Sequence, residues 1–160
     1  MSVLVTGAAG FIGFYTAAAL IERGEMVVGL DNLNEYYDVG LKRARLAKLN
    51  EHSNFVFYQA NVENREAVDG IIEAHQDVDR IVHLAAQVGV RYSLENPFEY
   101  INSNVLGQIT LLEAARRLKN FKHFVYASSS SIYGSNTGLP FSEHQRIDWP
   151  ISVYAASKSS

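Results

Sequence analysis

The sequence predicts an α/β fold: a doubly wound parallel sheet with helices on both faces. Three observations predict it. Strand-like and helix-like segments alternate along the chain. The strand-like segments are continuous apolar runs, as strands buried on both faces are. A glycine-rich turn joins the first strand to the first helix. With 160 residues, 48% hydrophobic and 19% charged, the chain is long and apolar enough for one domain with a sizeable core and too apolar for wholesale disorder.

The elements follow in order. Val3-Leu4-Val5 is a short buried strand ended by Thr6-Gly7. Residues 11–23 read as a helix, with Phe11, Ile12, Tyr15, Ala18, Ala19 and Leu20 expected to face inward, and Gly24 stops it. Residues 26–30 form a second strand, 34–38 a polar and aromatic loop, 41–49 a helix and 55–58 a third strand. A helix over 63–75 has Asn64 near its cap. Residues 80–84 form a fourth strand. Pro97 opens a long helix running to about Leu118, since proline suits a first turn. Residues 124–127 are a fifth strand, the serine run and 134–150 are loop, and a helix starts near Ser152. The sheet therefore reads as truncated after the fifth strand and the start of the next helix. Ligands of such sheets bind at the carboxyl ends of the strands, here just after Val5, Leu30, Tyr58, Leu84 and Ala127.

Several functions are excluded by composition. With no cysteine there is no disulfide, thiol nucleophile or cysteine-held zinc. The five histidines are scattered without metal-ligand spacing, so no metal is expected. A net charge of −3 argues against a duplex nucleic-acid surface. No stretch approaches the ~18 apolar residues of a membrane span, and the N-terminus enters a strand with no basic leader. A cytoplasmic location is the expectation that fits.

After the first strand, Gly7, Gly10 and Gly13 follow a GxxGxxG spacing. One glycine makes the tight turn, another admits a pyrophosphate to the backbone, and the last lets helix and strand pack closely. The helix N-terminus then offers free N–H groups to the phosphates. The alternative is a turn and nothing more. Asp31, ending the second strand, is placed to accept both ribose hydroxyls of an adenosine and to repel a 2′-phosphate, which favours NAD over NADP; the alternative is a capping or solvated aspartate. Asn61, after the third strand, offers an amide to an adenine edge. Ala85 and Ala86, after the fourth, allow a cofactor to pass close by. Lys42, Arg43, Arg45 and Lys48 read as a solvated basic helix face rather than a phosphate site. His83 reads as a hydrogen-bonded core histidine whose side alternates away from the ligand.

Tyr154 and Lys158 lie four apart at a helix start, hence on one face. A free tyrosine ionises near pH ~10, so about one in a thousand is a phenolate at neutral pH, and a nearby ammonium favours that form. Such a pair makes a general base, although a lone YxxxK is also a common surface pair. Ser129, in the serine run ending the fifth strand, offers a hydroxyl toward the same crevice; loop chemistry is the alternative. No acid–histidine pair accompanies it, which rejects a serine hydrolase.

Together, Thr6-to-Gly13 (TGAAGFIG), Asp31-Asn32-Leu33, His83-to-Ala86 (HLAA), Ser128-to-Gly134 (SSSSIYG) and Tyr154-to-Lys158 (YAASK) resemble the N-terminal half of the extended short-chain dehydrogenases/reductases. Within them, residues 31–46 and 87–97 look most like the nucleotide-sugar 4-epimerases of the UDP-glucuronate branch. The resemblance implies a Rossmann-like NAD-binding domain over residues 1–160, incomplete and without its C-terminal substrate-binding part. It implies that Gly7, Gly10, Phe11, Ile12 and Gly13 hold the pyrophosphate, with Asp31 and Asn32 at the adenosine ribose. Asn61 and Val62 fall to the adenine. Leu84, Ala85, Ala86 and Asn104 line the cofactor's path, and Tyr154 and Lys158 reach the nicotinamide end. Catalysis falls to Ser129, Tyr154 and Lys158, and the sugar to Ser129, Ser130 and Tyr154. Many relatives carry aspartate where this chain has Asn61, which puts adenine affinity in question.

The implied reaction is inversion at carbon 4 of a nucleotide sugar through a transient 4-keto intermediate, with NAD regenerated. Dehydratase relatives carry an Asp-Glu pair just after the catalytic hydroxyl; Ser130 and Ser131 stand there instead, which disfavours elimination of water. Other readings are a dehydratase, another short-chain oxidoreductase, or a truncated non-catalytic NAD-binding module. Homodimerisation is implied through the 97–118 helix and the helix that begins at Tyr154, with a stripe at Ile101, Val105, Ile109 and Leu112.

Overall fold

In the computed structural model, which describes residues 1–160, each apolar run becomes a strand. They are β1 Ser2–Thr6, β2 Met26–Asp31, β3 Phe55–Gln59, β4 Val78–His83 and β5 His123–Tyr126. All pair in parallel, in the order β3-β2-β1-β4-β5. The chain thus winds outward from β1 through β2 and β3, then returns to place β4 on the other side of β1. A crevice opens at that reversal.

Seven α-helices accompany the sheet: α1 Phe11–Glu22, α2 Val39–Leu49, α3 Arg65–Ala74, α4 Tyr92–Glu95, α5 Pro97–Tyr100, α6 Gly107–Ala115 and α7 Val153–Ser159. Side chains alternate across a strand, so β1 serves two cores. Leu4 joins Val28 and Ile81 against Val68, Ile72, Leu111 and Ala114 of α3 and α6. On the opposite face Val3, Val5 and Val27 meet Ala17 and Ile21 of α1 and Leu46 and Leu49 of α2. Each fully buried Val, Leu or Ile contributes about 1.5–3 kcal/mol of apolar transfer.

The inward face expected for α1 is wrong. The helix buries Gly13, Ala17 and Ile21, while Phe11, Ile12 and Tyr15 are 66%, 62% and 59% exposed. Ala18 and Leu20 are partly buried and Ala19 is exposed. Small residues at 13 and 17 let the helix sit close to the sheet, and the bulky ones are turned away by that closeness. The helix expected from Pro97 to Leu118 ends at Ala115 and is interrupted: α5 runs into a π-helical stretch, Ile101–Leu106, and then into α6. A π turn carries one extra residue per turn and re-aims its side chains; here Asn104 is buried.

Local caps agree with the sequence. Asn64 accepts from Ala67 N at 3.1 Å and Ser152 from Ala155 N at 3.0 Å, capping α3 and α7. Asp38 caps α2 through Leu41 N at 2.8 Å. The 134–150 loop follows a 3₁₀ turn, Ser130–Tyr133. No helix is long and apolar enough to cross a membrane, and no three acidic or histidine side chains gather as a metal site.

Candidate active site

The carboxyl ends of the strands enclose a cleft of about 630 Å³. Its floor begins with the glycine turn. Gly7 has φ +70°, and a side chain there would meet Ala85 N at 2.8 Å; a side chain on Gly13 would collide with the Gly7 carbonyl oxygen. These glycines therefore bring the turn, α1 and the end of β4 into contact, beyond what a plain turn requires. Phe14 is the first amide of α1 to find a carbonyl, Gly10 O at 3.0 Å, and those of Phe11, Ile12 and Gly13 have none. No acidic residue occupies the first turn. Free amides at a helix N-terminus make a ready anion cradle.

Asp31, 7% exposed, is fixed beside this turn: its Oδ2 accepts from Ala9 N at 3.1 Å and its Oδ1 from Leu33 N at 2.8 Å. Asn32 lines the cleft, whereas Asn61 lies outside it, exposed, its Oδ1 accepting from Asn32 Nδ2 at 3.0 Å. The solvated basic face expected of α2 holds for Arg43 and Lys48 only. Lys42 is 6% exposed and donates to the carbonyl and side-chain oxygens of Asn34, both at 2.8 Å. Arg45 donates to Ala9 O at 3.3 Å and lies over the Phe11 ring. Both line the cleft, because α2 packs toward the α1 turn rather than away from it.

At the junction of β1 and β4, Thr6 Oγ1 accepts from Leu84 N at 3.2 Å and Ala85 N at 3.1 Å. With both lone pairs engaged, its O–H is left to donate to His83 Nδ1 at 2.7 Å, which assigns His83 as the neutral Nε2–H tautomer. Burial, reinforced by the Lys158 charge, brings the His83 pKa down to about 4. His83 is therefore a core histidine, as its apolar neighbours predict.

The catalytic candidates meet the cleft unequally. Tyr154 and Lys158, one turn apart on α7, both line it. Burial holds the Lys158 ammonium below the ordinary lysine range. The Tyr154 ring packs edge-on against Tyr100, centroids 5.9 Å apart. Ala127 and Ser128 line the cleft, while Ser129 and Ser130 do not; the Ser129 hydroxyl caps the 3₁₀ turn, accepting from Ser131 N at 3.2 Å.

Asn104 also stands behind the wall rather than in it. Its Oδ1 accepts from Gln87 N at 2.8 Å, and its Nδ2 donates to Gln87 O at 3.0 Å and Ser157 Oγ at 2.8 Å. Ser157 in turn donates to Tyr154 O at 2.9 Å. Asn104 thus ties the loop after β4 to the helix bearing Tyr154.

The cleft accordingly gathers Gly7, Gly10, Phe11, Ile12, Gly13, Asp31, Asn32, Val62, Leu84, Ala85, Ala86, Tyr154 and Lys158. Sequence reasoning missed Thr6, Asn34, Tyr36, Gln87 and Ser103. Thr6 and Gln87 carried a usable signal, each a polar residue at the end of an apolar strand run. Tyr36, Asn34 and Ser103 carried none.

The family model described as GDP-mannose 4,6 dehydratase matches residues 4–160. The chain belongs to that family. Among its relatives, UDP-glucuronate 4-epimerase 3 of Arabidopsis thaliana is 48% identical over 159 residues, 99% of this chain and 36% of that protein. A probable UDP-glucuronate 4-epimerase of Rhizobium meliloti (strain 1021) is 48% identical over 160 residues, 100% of this chain and 46% of that protein. The crystal structure of UDP-glucuronic acid 4-epimerase from Bacillus cereus, in complex with UDP-glucuronic acid and NAD, superposes with a TM-score of 0.85 at 35% identity, covering 99% of this chain and 49% of that one. The chain of this GDP-mannose 4,6 dehydratase family member thus spans less than half the length of these relatives.

Proposed function

We propose that this chain is the NAD-binding, proton-transferring part of a cytoplasmic nucleotide-sugar 4-epimerase acting on UDP-glucuronate. One observation carries the reading: Tyr154 and Lys158 open into the same cleft as the glycine turn and Asp31. The residues fit NAD. The amides of Phe11, Ile12 and Gly13 suit a pyrophosphate, and the Asp31 carboxylate suits a ribose diol. When bound, NAD supplies a hydride acceptor that can also return the hydride. Tyr154 takes the proton from the sugar's 4-hydroxyl and restores it after the ketone has turned its other face. Lys158, one turn along α7 from Tyr154, holds the nicotinamide ribose. Ser129 steadies the C4 oxygen once the sugar draws its hydroxyl from the 3₁₀ cap, and Ser130 lies along the same edge.

The family's name raises dehydration as the rival. Elimination across carbons 5 and 6 needs an acid and a base, and Ser130 and Ser131 supply neither, which favours epimerisation. In this reading residues 1–160 are an incomplete dinucleotide-binding domain, with a further part gripping the sugar. The exposed face at Ile101, Ile109 and Leu112 then suits a homodimer. The test incubates the protein with NAD and UDP-glucuronate, following the sugar by NMR and NADH by absorbance. Inversion at carbon 4 without accumulating NADH is expected; NADH formed in step with sugar consumed would reject the reading.

A further inference from the structure

We propose that residues 34–36, between β2 and α2, form a strap latched across the cleft, and that its unlatching sets how fast a dinucleotide enters and leaves. The proposal rests on the dinucleotide reading of the cleft and goes beyond it. Strand order gives the first reason. β2 and β4 flank β1, so a contact between the segments that follow them spans the end of β1, where the glycine turn lies. Two such contacts exist. Asn34 Nδ2 donates to Gln87 Oε1 at 3.4 Å, and the Tyr36 ring tilts against Tyr92, centroids 5.1 Å apart. Gly89 gives the Tyr36 hydroxyl its seat, since a methyl group on Gly89 would stand 2.5 Å from that oxygen. Asn34, Tyr36, Gln87 and the glycine turn all line the same cleft.

The two ends of the strap differ in firmness. At its root, Lys42 Nζ donates to Asn34 O and Oδ1, both at 2.8 Å, and Leu33 N donates to Asp31 Oδ1 at 2.8 Å. Leu33 supplies the bend, its φ of +57° lying in the left-handed region. At the far rim the fastening is one long hydrogen bond and one ring contact. Each such contact shifts the balance between shut and open by roughly two- to tenfold. The strap is therefore held fast on the β2 side and lightly on the β4 side, as a latch requires. A dinucleotide laid along the glycine turn runs beneath it and enters or leaves when the far rim lets go.

Stopped-flow mixing with NADH, read by its fluorescence, gives the association rate, and a chase with excess NAD gives the dissociation rate. The comparison is between this chain, Tyr36→Ala and Asn34→Ala, with thermal melts to verify folding. Asn34→Ala keeps the carbonyl that holds Lys42, so it cuts the far fastening and spares the root. A gate slows passage in both directions, so weakening it raises both rates together. Each variant should speed association and dissociation by about threefold or more and leave their ratio within about twofold. Tyr36→Phe, which keeps the ring against Tyr92, should change both rates less than Tyr36→Ala. Faster dissociation alone would make these residues simple ligand contacts and overturn the strap, as would unchanged rates in folded variants; either result leaves the dinucleotide site standing. Failure of the native chain to bind NADH would overturn both.

Discussion

Thr6 shows how much one hydroxyl can settle. It spends its two lone pairs on the amides that follow β4 and its proton on His83, so a protonated His83 would have no acceptor at Nδ1. The consequence for stability has a definite sign. His83 titrates at about 4 when folded, against 6.5 for an unperturbed histidine, so between those values the unfolded chain holds the extra proton. Stability is complete above pH 6.5 and falls toward pH 4, by about 3 kcal/mol for this group. Urea unfolding at a series of pH values should show that loss, and His83→Asn, which keeps an acceptor for Thr6 but does not titrate, should flatten it. Lys158 behaves oppositely to a stabilising residue: its ammonium is partly buried and no carboxylate pairs with it. Lys158→Met should raise the melting temperature and, under the proposed reading, abolish turnover. If the proposed epimerase reading holds, Tyr154→Phe should reduce turnover by roughly a thousandfold and spare NAD binding, as separate kinetic and binding measurements would reveal. At this scale the places of the glycines and Asp31 around the cleft were legible because local chain order sets them. Asn61 and Asn104 were not, since the partners that occupy their side chains, Asn32 and Gln87, come from distant turns.

At the level of elements, α7 and the π-helical stretch are one mechanical unit. Asn104 is the joint, satisfying both backbone groups of Gln87 and reaching Ser157. Asn104→Ala leaves those buried groups short of partners and should cost about 2–3 kcal/mol in chemical unfolding. It should also weaken NAD binding more than a surface substitution of equal cost, because the loop after β4 loses its anchor. The helix starts and their caps were readable, since Asn64 and Ser152 act on amides three residues away. The π stretch was not, because an inserted residue leaves no local mark when the apolar pattern continues through it. The reading of α1 failed for a related reason. Hydrophobicity points toward bulky residues, while close packing on a parallel sheet rewards small ones, and Gly13 and Ala17 took the inner face.

Across the whole molecule, the parallel sheet and its two helix layers followed from alternation and from the buried character of the strands, and the structure adds the strand order and the register. One face remains apolar and uncovered: Phe98 is 79% exposed, Ile109 52%, Ile101 46% and Leu112 41%. These positions fall on one side of the 97–115 helical run and form a patch of the kind that marks association. Light scattering should report a mass above that of one chain, and Phe98→Glu with Ile109→Glu should return it toward the monomer; a clean monomer before mutation would reject the interface. The reversal of winding between β1 and β4 has a wider meaning for how such a protein changes over generations. The crevice it opens comes from the route of the chain and not from any side chain. Core residues are therefore free to drift within their volumes without closing it, and new ligand preferences can arise by altering only the short turns that rim it.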